Sequence, residues 1–156
     1  MSKLTSSIIR AGLIVGTLDI TSAFIYYMIK SGKSDFWVVL KFVASGAFGK
    51  SASADGSLMI ALGLVFHFII AFSFTILFFL LYPKLTILSK NRIITGIVYG
   101  LFIWAFMNLV VVPLSSVVHR PFKLVGVLIN MAILVVLIGI PLSFMANAYY
   151  RKTKIG

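Results

Sequence analysis

Polar positions are spaced so far apart along this chain that they divide it into long apolar blocks. Residues 56–83, 93–118 and 124–150 contain no Lys, Arg, Asp or Glu, and residues 11–29 contain only Asp19. A helix needs roughly 20 predominantly apolar residues to cross the hydrocarbon core of a bilayer. Each block satisfies that length, so the pattern predicts four transmembrane helices at about 8–30, 58–82, 93–118 and 124–149. The predicted fold is all-α, a single polytopic membrane domain over residues 1–156 with the four spans in a bundle. Pro113 and Pro141 fall inside apolar blocks, where each removes a backbone donor and predicts a kink. Ser115 and Ser143 are candidates to satisfy the freed carbonyls.

The segment after the first span breaks the rhythm. Residues 36–44 (FWVVLKFVA) are apolar but too short to cross, and Gly46, Gly49 and Gly56 follow among Ser and Ala. Such a run lies in the interface or re-enters partway. The reading favoured here is an interfacial helix over about 35–48 with Trp37 at headgroup level; a re-entrant hairpin is the alternative. Residues 44–51 (ASGAFGKS) also match a relaxed phosphate-binding loop. That chemistry requires a preceding strand and an acidic magnesium partner, neither of which membrane flanks supply, so no nucleotide is expected.

Composition agrees with the pattern: 61% of the 156 residues are hydrophobic and 11% are charged. A soluble enzyme or a disordered tail is excluded, since soluble domains carry about 25% charged residues. The formal charge of +11 would suggest nucleic acid in a soluble protein. Here the cations flank the spans, where they snorkel to headgroups, so lipid is the expected partner and nucleic acid is not. Lys3, Arg10, Lys84, Lys90, Arg92, Arg151, Lys152 and Lys154 lie on the side of the termini. Lys30, Lys33, Lys41, Lys50, Arg120 and Lys123 lie opposite. The excess on the first side predicts cytoplasmic termini. Tyr26, Tyr27, Tyr82, Tyr149 and Tyr150 stand near span ends, where amphipathic rings prefer the interface. With no cysteine, thiolate metal sites and disulfides are excluded.

Small residues recur at helical spacing. Gly12 and Gly16 form a GxxxG in the first span, Gly96 and Gly100 another in the third, and Gly63 and Gly126 mark similar faces in the second and fourth. Such residues let helix backbones approach where lipid provides no hydrophobic drive. The main expectation is packing within the bundle, with a homo-oligomer as a further option. Phe66, Phe72, Phe78 and Phe79 are expected to face lipid or fill the resulting grooves.

The polar members of these faces are the candidate chemistry. At 1.5 Å per residue from the side opposite the termini, Asp19 lies ~15 Å deep, His67 ~13 Å, Asn108 ~15 Å and Asn130 ~9 Å. One polar side chain per span at comparable depth predicts an intramembrane polar layer. An ionised Asp at a helix centre costs about 2.5–3.5 kcal/mol on insertion scales, so Asp19 is expected to pair with His67. Two functions fit: a polar clamp in a structural or accessory protein, or a proton-responsive site in a small transporter or channel subunit. One His and one Asp are half a metal ligand set, so neither metal nor cofactor is expected. Ser73 lies too far round its helix to pair with His67, and no enzyme is expected.

Residues 62–68 (LGLVFHF), Ala71-Phe72, Pro83, Gly96, Tyr99-Gly100, Trp104 and Pro113-Leu114 together resemble the YagU-like group of small bacterial inner-membrane proteins. The resemblance implies a bacterial inner-membrane location and transfers no catalytic residue. It spans Leu62 to Pro121, and the first span with Asp19 departs from the group.

Overall fold

The computed structural model describes residues 2–49, 51, 56–84, 90–116 and 124–154. Five helices account for nearly all of them, and there is no strand among the described residues. They are α1 (Lys3–Ser31), α2 (Trp37–Phe48), α3 (Ser57–Leu81), α4 (Arg92–Leu114) and α5 (Leu124–Lys154). All but α2 are long and apolar enough to cross a membrane. The all-α fold with four spans therefore stands as the sequence predicts it. Leu4 and Ile8 of α1 pack into the same cluster as Met145, Tyr149 and Tyr150 of α5, so both chain ends lie at one end of the bundle, called here the terminal end.

The boundaries shift for local reasons. α1 begins five residues before its predicted start because Ser2 caps it, its hydroxyl accepting from the Thr5 amide at 3.1 Å. Gly32 ends it in the left-handed conformation, φ 66°. Asn91 caps α4 by accepting from the amides of Ile93 and Ile94. α4 stops at Leu114, before the predicted 118, as Ser115 turns to extended backbone just after Pro113.

The two expected kinks take the form of widened turns. α4 is π-helical over Met107–Val111, immediately before Pro113, and α5 is π-helical over Leu134–Gly139, immediately before Pro141. A proline ring crowds the carbonyl four residues earlier and supplies no donor to it, and a π-turn relieves both conflicts. The serines act differently from expectation. The Ser115 hydroxyl donates to the Val112 carbonyl at 2.7 Å, while the hydroxyl of fully buried Ser143 has no hydrogen-bond partner among the described residues.

Glycines set the helix pairings inside the chain. A Cβ on Gly12 would strike the Phe72 ring, and one on Gly16 would lie 2.8 Å from Phe68. α1 thus receives the phenylalanines of α3 as knobs in a groove. At the α4–α5 crossing the backbones themselves meet: a Cβ on Gly96 would lie 2.6 Å from the Ile140 Cα, and one on Gly139 would overlap the Gly96 carbonyl. Phe78 and Phe79 are fully buried in the core, which settles them as groove fillers. α3 and α4 meet through rings, Phe74 against Phe102 and Phe106, and Phe78 against Tyr99 at 4.4 Å.

Helix α2 brings a contact that the sequence did not announce, a seat directly on α3. Leu40, in its first turn, lies against Gly63, and a Cβ there would overlap the Leu40 carbonyl. One turn later Ala44 shares a buried cluster with Met59, so α2 runs antiparallel to α3. Phe36, just before α2, packs on Phe24 of α1 with ring centroids 5.2 Å apart. At the other end of α2, the Ser116 amide donates to the Gly46 carbonyl. Leu40 therefore lies about 9 Å along α3 from its first residue, and α2 climbs from there along its flank. The physical cause is Gly63, whose missing side chain lets a second helix backbone sit directly on α3. The phosphate-loop match at residues 44–51 falls largely on this helix, with Lys50 outside the described residues, as are Arg120, Pro121 and Lys123.

Tyr82 is a departure from expectation. It is 3% exposed, stacked on Tyr150 at 5.6 Å and accepting a 2.8 Å hydrogen bond from the Asn147 amide. Sitting at a helix end did not make it an interfacial ring, because α5 extends far enough to cover it. Tyr82→Phe is expected to leave the buried Asn147 amide unpaired and to cost about 1–3 kcal/mol, read as an earlier thermal unfolding transition in detergent.

Candidate functional site

The sequence-predicted polar layer is half assembled in the structure. Asp19 and His67 meet; Asn108 and Asn130 do not join them. The Asn108 amide donates to the carbonyl of Trp104, one turn back on its own helix, at 2.9 Å. Asn130 is exposed on the outside of the bundle. Depth along a span follows from counting residues, whereas the direction a side chain faces depends on how the helix is rotated, and the π-turn at Leu134–Gly139 changes that rotation for everything before it.

The face Gly12, Gly16, Asp19 of α1 lies against His67, Phe68, Ala71 and Phe72 of α3. Because Gly16 has no side chain, the His67 ring reaches its backbone: Nε2 stands 2.9 Å from the Gly16 carbonyl oxygen. The other ring nitrogen, Nδ1, lies 3.9 Å from Asp19 Oδ2. That distance is within ion-pair range and beyond hydrogen-bond length. Phe68 holds the ring from one side, edge-on at 5.4 Å, and is itself seated over Gly16. His67 is 9% exposed, while the Asp19 side chain retains 28%.

This geometry fixes the proton inventory. A carbonyl oxygen accepts only, so Nε2 must donate, and in a neutral imidazole Nδ1 is then a bare lone pair. A bare lone pair facing a carboxylate is repulsive. The contact is favourable when one proton lies between them, on the carboxyl or on the imidazole. Either arrangement leaves the pair without net charge, and removal of that proton leaves one negative charge between two spans. The arrangement thus joins α1 to α3 through the Nε2 hydrogen bond to Gly16 and sets Nδ1 within ion-pair range of Asp19.

The neighbouring elements bring few charges. Between its ends α4 carries only Tyr99 as a titratable group, α5 has none between Leu124 and Ala148, and α2 contributes Lys41. Ser73, dismissed as a nucleophile from its spacing, is exposed and donates to the Ile69 carbonyl of its own helix. Sequence reasoning missed the Asn147–Tyr82 pair and buried Thr75, whose hydroxyl donates to the Ala71 carbonyl. The signal for Asn147 was present: it lies on the i+4 series Ser143, Asn147 of an otherwise apolar face. No protein-family model, no curated protein and no solved structure matches the chain.

Proposed function

We propose that this chain is a non-enzymatic accessory component of a bacterial inner membrane, a four-span bundle in which a proton-holding Asp19–His67 clamp fixes α1 against α3. The observation that carries the reading is the double use of the His67 ring, Nε2 on Gly16 and Nδ1 toward Asp19. The bacterial inner-membrane location rests on the resemblance to the YagU-like group, and the cytoplasmic placing of the termini on the distribution of Lys and Arg. A bilayer is the required partner. Any homo-oligomer would use lipid-facing surfaces such as Ile97, Val98 and Leu101 of α4, because the glycine faces are occupied within the chain.

A second reading, a small transporter or channel subunit with a proton-responsive site, is favoured by one observation: the Asp19 carboxyl is partly open although its partner is buried. The two separate in vesicles. Wild type, Asp19→Asn and His67→Ala are reconstituted, and proton flux is recorded against internal pH together with thermal unfolding. The accessory reading expects flux at the level of empty vesicles and a lower unfolding temperature for His67→Ala. Flux present in wild type and lost in both variants, with unfolding unchanged, overturns it in favour of transport.

A further inference from the structure

The foot of α4 carries a feature that the clamp does not use. Lys90, Asn91, Arg92 and Ile93 line an open cavity of about 320 Å³ together with Phe144 of α5. Gly96 meets Ile140 where the two helices cross, so one turn closer to the terminal end Arg92 stands level with Phe144. The Arg92 guanidinium lies over the Phe144 ring, 5.2 Å from its centroid. That contact is within cation–π range. It seats one face of the guanidinium on the ring and leaves the N–H edge to make the paired hydrogen bonds that suit phosphate oxygens. Asn91 gives its side-chain oxygen to the amides of Ile93 and Ile94. The helix end is therefore already capped, and the positive charge at the cavity comes from Lys90 and Arg92.

We propose that this cavity binds the headgroup of an anionic phospholipid, with the lipid phosphate held between Arg92 and Lys90. Charge complementarity is the first argument. Residues 1–18, 82–95 and 140–156 contain no Asp or Glu, so the sequence near the terminal end offers these cations no acidic partner, and the counter-charge comes from outside the chain. Depth is the second: Arg92 is the first residue of a membrane span, where hydrocarbon gives way to headgroups. Continuity with an apolar surface is the third. Ile93, Ile97 and Leu101 follow one another at four-residue spacing away from the cavity and are exposed, an apolar track for an acyl chain that a soluble phosphate would not use. α5 continues past Phe144 to Lys154, about 15 Å along its axis. Arg151 falls on the same helix face as Phe144, seven residues on, and adds a cation above the cavity. Basic pockets between spans recognise anionic headgroups by this combination of charge and depth. The site involves neither Asp19 nor His67, and so stands or falls apart from the clamp.

Native mass spectrometry of the full chain tests the site. The protein is released from neutral detergent micelles that hold phosphatidylglycerol and phosphatidylcholine with identical acyl chains in equal amounts. Wild type is expected to retain phosphatidylglycerol with about a tenfold preference over phosphatidylcholine. Arg92→Gln and Lys90→Gln are each expected to cut that preference about fivefold, the worth of one cation beside a headgroup. Both side chains are exposed, so circular dichroism is expected to show both variants folded. Lys3→Gln makes the same change of charge at the same end but outside the cavity, and is expected to leave the preference unaltered. Inorganic phosphate in excess is expected not to displace the lipid. Equal retention of the two lipids by wild type overturns headgroup recognition, and equal losses in Lys3→Gln and Arg92→Gln overturn the cavity in favour of diffuse charge. Displacement of the lipid by inorganic phosphate overturns the lipid and makes the cavity a site for a soluble anion.

Discussion

Gly139→Val is expected to prevent assembly of the bundle or to lower its stability by about 3 kcal/mol or more, at the upper end of overpacking costs. A side chain at 139 would run into the Gly96 carbonyl and lie 2.9 Å from the Gly100 amide nitrogen. Backbone cannot rotate away as a flexible side chain can, so α4 and α5 would have to part along their closest crossing. Helix propensity alone argues the other way, since replacing a helical glycine removes a penalty of about 1 kcal/mol. The sign of the effect therefore tells packing from propensity. Gly126→Ala is the control: its Cβ meets only the Tyr26 hydroxyl at 3.5 Å, and a change within about 0.5 kcal/mol is expected. Unfolding by heat or by denaturing detergent, followed by circular dichroism, measures both. A Gly139→Val protein as stable as wild type would mean that α4 and α5 do not cross at Gly96.

His67→Ala is expected to cost about 2–3 kcal/mol, because it strips the partner from Asp19 and opens a void between α1 and α3. Asp19→Asn keeps a polar group facing Nδ1 without a charge and is expected to cost less than about 1 kcal/mol. The informative variant is the double replacement Asp19→Leu with His67→Leu. Replacing both members of a buried polar pair by apolar groups of similar volume is often neutral or stabilising, so the double variant is expected to recover most of the stability lost in His67→Ala. A double variant less stable than His67→Ala would show that the two side chains act independently. The partial exposure of Asp19 keeps these figures below those of fully buried pairs.

Much of this architecture was legible because lipid imposes simple rules. Uncharged blocks of sufficient length can only be spans, and the four predicted helices sit where the structure has them, apart from their ends. Pro113 and Pro141 announced local irregularity, and the π-turns Met107–Val111 and Leu134–Gly139 are its form. The Asp19–His67 pairing followed from depth together with a shared glycine face, Gly12, Gly16, Asp19 on one helix and Gly63, His67 on the other. Depth and a glycine face together misled at Asn130, in line with Gly126 but exposed, and at Asn108, in line with Gly96 and Gly100 but serving its own helix. Tyr82 misled for the related reason that a helix end is interfacial only if no longer helix overlaps it. The seat of α2 depended on Gly63 receiving the Leu40 carbonyl, a contact between distant residues that no local pattern encodes.

The most direct measurement is nitrogen NMR of the His67 ring in bilayers across pH, with His119→Gln removing the only other histidine. The expected spectrum shows Nε2 protonated, held by the Gly16 carbonyl, and an Nδ1 resonance that moves on Asp19→Asn. A ring whose Nε2 is unprotonated, or whose Nδ1 is indifferent to residue 19, would contradict the pairing on which the clamp rests.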